Sequence, residues 1–169
     1  MSKNKKKIII ATGGTGGHVF PAYSLASYFL EKNISTEIVI DARGFKFIQH
    51  YNFPNIKIIN SSTIFKKNPI LFFQAFLKII YAFFKSFLFL IKSRPTILFG
   101  MGGYASFPIC LAAKILRIPF IIYESNLYIG KANKYLLPFS HKLFVAYKET
   151  EGILEKYISK KVEIGNIIR

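Results

Sequence analysis

The sequence predicts an α/β domain built on a doubly wound parallel sheet, and three observations carry that reading. Short β-branched runs alternate with helix-length segments along the 169 residues. The first run, Lys7–Thr12 (KIIIAT), passes straight into glycines that open a helix, as a buried parallel strand does. A second glycine turn, Gly100-Met-Gly-Gly103, repeats that arrangement after a later strand. Strands joined through helices give right-handed βαβ crossovers.

The elements follow in order. Phe20–Asn33 has helical spacing, with Pro21 suited to a first turn. Thr36–Asp41 (TEIVID) and Asn55–Ile59 read as the second and third strands, and Pro69–Lys92 as one long apolar helix. Thr96–Phe99 is a strand and Ala105–Leu116 a helix, followed by a strand at Pro119–Tyr123 and a helix near Lys131–Leu137. Lys142–Ala146 is a strand, Glu149–Tyr157 reads as helix, and Lys161–Ile164 is the last strand. Residues 1–165 thus form one domain, and 166–169 read as the start of a linker. Ligands of such sheets bind at the carboxyl ends of the strands, so the loops after Thr12, Phe99 and Tyr123 are the candidate sites.

Composition excludes several classes. Hydrophobic residues are 51% of the chain and aromatics 17%, too apolar for a disordered arm. Cys110 is the one cysteine, so neither a disulfide framework nor a cysteine zinc cluster exists. Asp41 is the one aspartate, and no metal is expected. The opening MSKNKKK lacks a signal-peptide apolar region, which reads as cytoplasmic. The net charge is +16, and no acidic residue lies between Asp41 and Glu124 while Arg43, Lys46, Lys57, Lys114 and other basic residues do. Charge of one sign over half a domain points to an anionic partner.

Ala11-Thr-Gly-Gly-Thr-Gly-Gly-His18 can bring backbone close to a ligand and offer helix-start N–H groups to an anion such as a diphosphate. The dinucleotide fingerprint would be Gly14-x-Gly16-x-x-Val19, lacking its third glycine, with Asp41 placed as the ribose-binding acid. A nicotinamide-dependent, NAD(P)-type Rossmann reductase is therefore an alternative. A phosphate loop is not, because no Gly-Lys-Ser/Thr follows. Two glycine turns at neighbouring strand ends can clamp one diphosphate from two sides, with Gly13, Gly14, Gly102, Gly103 and Tyr104 as its expected contacts.

Gly13-Gly-Thr-Gly-Gly-His-Val-Phe-Pro-Ala22, Gly100-Met-Gly-Gly-Tyr104, Glu124-Ser-Asn126 and Gly165-Asn166 with Arg169 resemble, in order and spacing, the peptidoglycan members of glycosyltransferase family 28. The resemblance runs from Lys7 to Arg169 and implies a Rossmann-like amino-terminal half of a GT-B glycosyltransferase. The implied reaction is inverting, metal-free transfer of N-acetylglucosamine from UDP-N-acetylglucosamine (UDP-GlcNAc). The acceptor would be the C4 hydroxyl of undecaprenyl-diphosphate-linked muramoylpentapeptide. It further implies a peripheral place on the cytoplasmic face of the bacterial inner membrane. The family's second, nucleotide-sugar domain has no counterpart in this sequence and would have to act in cis or in trans, so this chain alone is expected to be inactive.

Family resemblance makes His18 the candidate base, which suits a ring whose ordinary pKa is near neutral. The helix start beside it is expected to keep the ring uncharged. Thr15, Gly16, Gly17, Asn126 and Arg169 match donor-contacting positions, and Glu124 is expected to orient loops rather than attack. Two departures stand out. The chain has Tyr123-Glu-Ser-Asn126 where the family usually has His-Glu-Gln-Asn. It has Ser106-Phe-Pro108 where Ser-Gly-Pro is usual, so that Phe107 crowds the acceptor side.

Within Pro69–Lys92, helical projection sets Lys67, Gln74, Lys78, Lys85 and Lys92 within roughly 40° of one another, with apolar side chains around the rest. Lys67, Lys78, Lys85 and Lys92 are therefore expected to meet an anionic membrane surface, the helix lying in the interface. Burial in the core and spanning of the bilayer are the competing placements. A membrane-anchoring subunit of a two-chain lipid-linked sugar transferase is a further alternative. Nucleic acid is not the expected partner, because the basic residues interleave with apolar ones instead of framing a base-stacking platform.

Overall fold

A computed structural model describes residues 6–62 and 68–167. The elements are β1 (Lys7–Thr12), α1 (Gly16–Glu31), β2 (Ser35–Ile40), α2 (Ala42–Ile48), β3 (Ile56–Ile58), α3 (Pro69–Ser93), β4 (Ile97–Gly100), α4 (Ser106–Ile115), β5 (Phe120–Glu124), α5 (Lys131–Leu136), β6 (Lys142–Val145) and β7 (Lys161–Glu163). A 3₁₀ turn at Glu155–Lys160 precedes β7. The strands form one sheet in the order β3-β2-β1-β4-β5-β6-β7, and every pairing is parallel. The predicted doubly wound sheet is what forms.

Side-chain alternation along β1 explains the two layers. Ile8 and Ile10 turn to one face and pack with Val19, Ala22 and Ala26 of α1. Ile9 and Ala11 turn to the other and pack with Ala82 and Leu90 of α3 and Ile109 and Cys110 of α4. Cys110 is fully buried, and loss of water pushes its thiol pKa up. It is a small residue of the core.

Three elements differ from expectation. Helix α1 starts at Gly16 rather than Phe20, so Pro21 falls in the second turn, where it removes one hydrogen bond. Helix α2 was not foreseen; the Asp41 side chain caps it by accepting from the Gly44 N–H. No helix spans Glu149–Tyr157, because Gly152 adopts φ +80°, a left-handed conformation incompatible with a helix interior. A Cβ on Gly152 would also lie 2.8 Å from the Tyr128 ring, next to the bridge between Tyr128 and Glu151.

Helix α3 is bounded by local chemistry. Asn68 caps it by accepting from the Ile70 and Leu71 N–H groups, and Arg94 ends it in a left-handed conformation just before Pro95. Its buried residues are Ala75, Ala82, Ser86 and Leu90, a narrow stripe that seats it on the sheet and α4. Phe73, Tyr81, Phe84 and Leu88 stay more than half exposed, and Lys78, Lys85 and Lys92 are exposed. Burial of the whole helix in the core is thereby overturned: one stripe is seated, Phe83, Phe87 and Phe89 are half-buried beside it, and the outer face is open. By length and composition alone α3 could cross a membrane. Lys67 lies outside the described residues.

The seam predicts two unequal substitutions. Ala82→Leu adds bulk at a position of zero exposure and should lower stability by about 1–3 kcal/mol. Leu88→Gln on the open face should change it by less than about 0.5 kcal/mol. Urea midpoints of the two variants check this, and equal effects would contradict the seating described.

Candidate functional site

The sheet order brings two loops together. β1 and β4 are neighbours, with Ala11 opposite Gly100, and the Met101 N–H donates to the Ala11 carbonyl at 2.8 Å. The loops after them leave side by side at the point where the strand order reverses, the usual binding crevice of such sheets. They meet backbone to backbone. A Cβ on Gly103 would lie 2.6 Å from the Gly13 carbonyl oxygen, and one on Gly13 would lie 2.5 Å from Asp41 Oδ1. Gly44 closes the contact from α2, where a Cβ would lie 2.9 Å from Gly13 Cα.

Asp41 fastens this junction. Its Oδ1 accepts from the N–H of Gly14 at 2.9 Å and of Gly44 at 2.8 Å, and its Oδ2 accepts from Arg43 Nε at 3.2 Å. The side chain is buried and engaged by donors from the first glycine loop and from α2, which overturns its reading as a ribose-binding acid and tells against the reductase. The Gly14 N–H, expected to help hold a diphosphate, is taken by Asp41 as well. The cation at that spot is Arg43, whose guanidinium Nη2 lies 3.9 Å from where a Gly14 Cβ would stand. Sequence reasoning listed Arg43 only as one basic residue among many; its place two residues after Asp41 was the available signal.

His18 lies in the first turn of α1, with its carbonyl accepting from Thr12 Oγ1 at 2.9 Å. Its ring rests on the second glycine loop. A Cβ on Gly102 would lie 2.7 Å from His18 Nδ1, and Gly102 and Gly103 adopt φ +88° and +74°. Nδ1 is buried without a full hydrogen bond. Burial holds the imidazole pKa below its ordinary 6.5, against the opposing pull of the Glu124 charge and the nearby Met101 carbonyl. Desolvation by burial thus favours the neutral ring.

Glu124 ends β5 and is buried, with both oxygens engaged. Oε1 accepts from the Asn126 N–H at 3.1 Å and from Asn126 Nδ2 at 2.6 Å. Oε2 accepts from the Gly130 N–H at 2.8 Å and from Asn133 Nδ2 at 2.9 Å. The carboxylate therefore folds residues 125–133 around itself. Tyr123, one residue earlier, turns to the opposite face. Its hydroxyl donates to the Gly165 carbonyl and accepts from the Ile167 N–H, fastening the 165–167 segment to β5.

His18, Gly102, Gly103, Tyr104, Glu124 and Asn126 line one cavity of about 130 Å³, closed by Gly130–Asn133. These six were all expected at the site. Asn133 was missed, although a polar residue in the first turn of a short helix is a usable signal. Thr15 and Gly17 are exposed on the outer face of the first loop and do not line the cavity, and Gly16 lies under the Phe20 and Phe47 rings. Arg169 lies outside the described residues. Among the described residues no cluster of three or more His, Cys, Asp or Glu side chains could hold a metal.

Comparison with known proteins gives a consistent picture. The family model described as the glycosyltransferase family 28 N-terminal domain matches residues 8–145. A Pelagibacter ubique protein named UDP-N-acetylglucosamine–N-acetylmuramyl-(pentapeptide) pyrophosphoryl-undecaprenol N-acetylglucosamine transferase is 40% identical over 97% of this chain and 45% of its own length. A Protochlamydia amoebophila protein of the same name is 33% identical over 97% of this chain and 43% of its own. The crystal structure of Acinetobacter baumannii MurG superposes with a TM-score of 0.76 at 26% identity, covering 94% of this chain and 45% of that one. A Rickettsia bellii UDP-N-acetylglucosamine 2-epimerase shares the fold, with a TM-score of 0.69 at 14% identity over 97% of this chain and 46% of that one. The chain spans less than half the length of the curated relatives it matches.

The loop junction predicts a graded pair of glycine substitutions. Gly102→Ala combines a left-handed backbone with a collision against His18 and should cost about 1–3 kcal/mol. Gly165→Ala, at φ +78° with nothing within 4 Å, should cost about 1 kcal/mol from conformation alone. Denaturant midpoints test the difference, and equal losses would remove the ring contact from the account.

Proposed function

The chain belongs to the glycosyltransferase family 28 N-terminal domains, and from that premise we propose that it is the acceptor-binding half of an inverting N-acetylglucosaminyltransferase. The donor is UDP-GlcNAc, and the acceptor is the C4 hydroxyl of undecaprenyl-diphosphate-linked muramoylpentapeptide. One observation carries the reading: His18, the second glycine turn, Glu124 and Asn126 converge on a single cavity at the carboxyl ends of β1, β4 and β5. The curated relatives are more than twice as long as the region matched, which favours a single-chain transferase over a two-chain anchoring subunit.

The chemistry follows from the geometry. Inversion is one displacement at the sugar's anomeric carbon, so it needs a base for the attacking hydroxyl and no protein nucleophile. His18 is the group suited to take that proton, because burial keeps its ring neutral. The Glu124 charge then stabilises the imidazolium as it forms, while its four accepted hydrogen bonds leave it poorly placed to attack. The two loops carrying Gly13, Gly102, Gly103 and Tyr104 face the acceptor diphosphate, with Arg43 as its cation. Thr15, Gly16, Gly17, Asn126 and Arg169 are assigned to the donor brought by the other half of the enzyme. No metal is assigned a role, since Asp41 and Glu124 are saturated by protein donors. Helix α3 lies on the anionic cytoplasmic membrane surface through its exposed apolar face and lysines.

Residues 1–169 alone should show no sugar transfer, and robust turnover by them would defeat the division of labour proposed. Joined to the second half, His18→Ala should lower kcat by about 10²–10⁴-fold with little change in KM. The acidic limb of the kcat/KM profile should fall below pH 6.5, because burial favours the neutral base. A change confined to KM would leave His18 a positioning residue.

The membrane contact has its own test. Replacing Lys78, Lys85 and Lys92 together with glutamine should weaken binding to anionic vesicles by about 1 kcal/mol per lysine. Binding to neutral vesicles should hardly change. Sedimentation with vesicles of each composition measures both, and equal losses on the two would contradict an electrostatic role.

A further inference from the structure

A cleft of about 480 Å³ lies between helix α3 and the residues that follow β2 and β3. Arg43 of α2 and Lys78 and Lys85 of α3 line it. Asp41 is the one acidic residue in its described lining, and Gly14, Gly44 and Arg43 already hold that carboxylate. The start of α2 is not open to a ligand, because the Ala42 N–H donates to Asn60 Oδ1 at 2.8 Å. The cleft therefore offers the charge of three side chains from two facing elements. Arg43 is largely exposed and stands beside Gly14, so the cleft adjoins the first glycine loop. Lys85 Nζ lies 4.7 Å from the centre of the Tyr81 ring, a cation–π contact that steadies it in the cleft. Lys78 is two helical turns away, roughly 10 Å along the axis at about 1.5 Å per residue.

We infer that this cleft receives the free carboxylates of the acceptor's peptide arm. The inference rests on the function proposed above and adds a site for the part of that acceptor which the glycine loops and the His18 cavity leave unread. Charge, spacing and continuity select the occupant. Three cations without a free carboxylate among them call for a ligand with more than one negative charge. Cations spread over roughly 10 Å along α3 cannot share one phosphate, but they match charges carried on a chain. An extended peptide rises about 3.3 Å per residue, so carboxylates three residues apart present that spacing. Continuity points to the same molecule, since one muramoyl group carries the diphosphate at its first carbon and the peptide beside the reacting hydroxyl. A peptide leaving that sugar meets Arg43 first and the two lysines next. A phosphatidylglycerol headgroup brings a single phosphate and answers only one of the three cations.

The test uses the chain itself in buffer free of vesicles and detergent, with four soluble probes in equilibrium titrations. They are N-acetylmuramoyl-pentapeptide, the same compound with its carboxylates converted to amides, glycerophosphoglycerol and inorganic diphosphate. The free-carboxylate peptide should bind about tenfold more tightly than its amide form. Lys78→Gln and Lys85→Gln, both at exposed positions, should each weaken it by about two- to fivefold. Inorganic diphosphate should bind both variants within about twofold of the wild type. Lys46→Gln removes the same charge from an exposed position of α2 outside the cleft and should change peptide binding by less than about twofold. If the amide form binds equally, or both α3 variants bind the peptide as the wild type does, the cleft does not read the arm, while the diphosphate site stands. If Lys46→Gln costs as much as the α3 variants, the attraction is general charge and the inference is overturned. If glycerophosphoglycerol binds as tightly and is lost in the same variants, the cleft is a lipid-headgroup site and the inference is again overturned. If neither diphosphate nor peptide binds the wild type, the acceptor reading of this half fails, and this inference fails with it.

Discussion

Everything at the site depends on one steric constraint, the meeting of two loops without side chains between them. Parallel pairing of β1 with β4 brings the turns after them close together, and only glycine at 13, 44 and 103 lets their backbones touch. Asp41 locks that contact by accepting from both Gly14 and Gly44. The His18 ring then has one place to lie, on the bare Cα of Gly102. Its burial, and so its neutral state, is a product of backbone packing in the turn.

The opposite wall is organised by charge. Glu124 is a buried carboxylate whose cost of desolvation is met by two backbone and two side-chain N–H donors. Those donors belong to the loop and helix that complete the cavity. One residue thus fixes the position of Asn126 and supplies the negative potential felt by His18. Tyr123 and Glu124 point to opposite faces of β5, so one strand fastens the 165–167 segment with one side chain and the cavity wall with the next.

The legible part of the molecule was whatever repeats or punctuates. Apolar runs and glycine turns marked β1, β4 and β5 and the loops after them, and His18 followed from its place beside the first turn. The unread part needed partners distant in sequence. Asp41 matched a ribose-binding acid by position, and only its contacts with Gly14 and Gly44 show it to be a latch. Helix α2 is seven residues long, too short for periodicity to reveal. The supposed helix at Glu149–Tyr157 had helical residues but also Gly152, whose backbone sign cannot be read from the residue type alone.

The narrow seat of α3 has a consequence for the protein in water. Four small or aliphatic residues, Ala75, Ala82, Ser86 and Leu90, with Phe83, Phe87 and Phe89 half-buried beside them, seat a helix of 25 residues. Phe73, Tyr81, Phe84 and Leu88 are among the apolar side chains left on its open outer face. The same open face makes the free domain prone to self-association, which an apolar surface or a lipid covering would suppress. In the absence of a membrane, colloidal stability will limit the handling of this domain before thermal unfolding does.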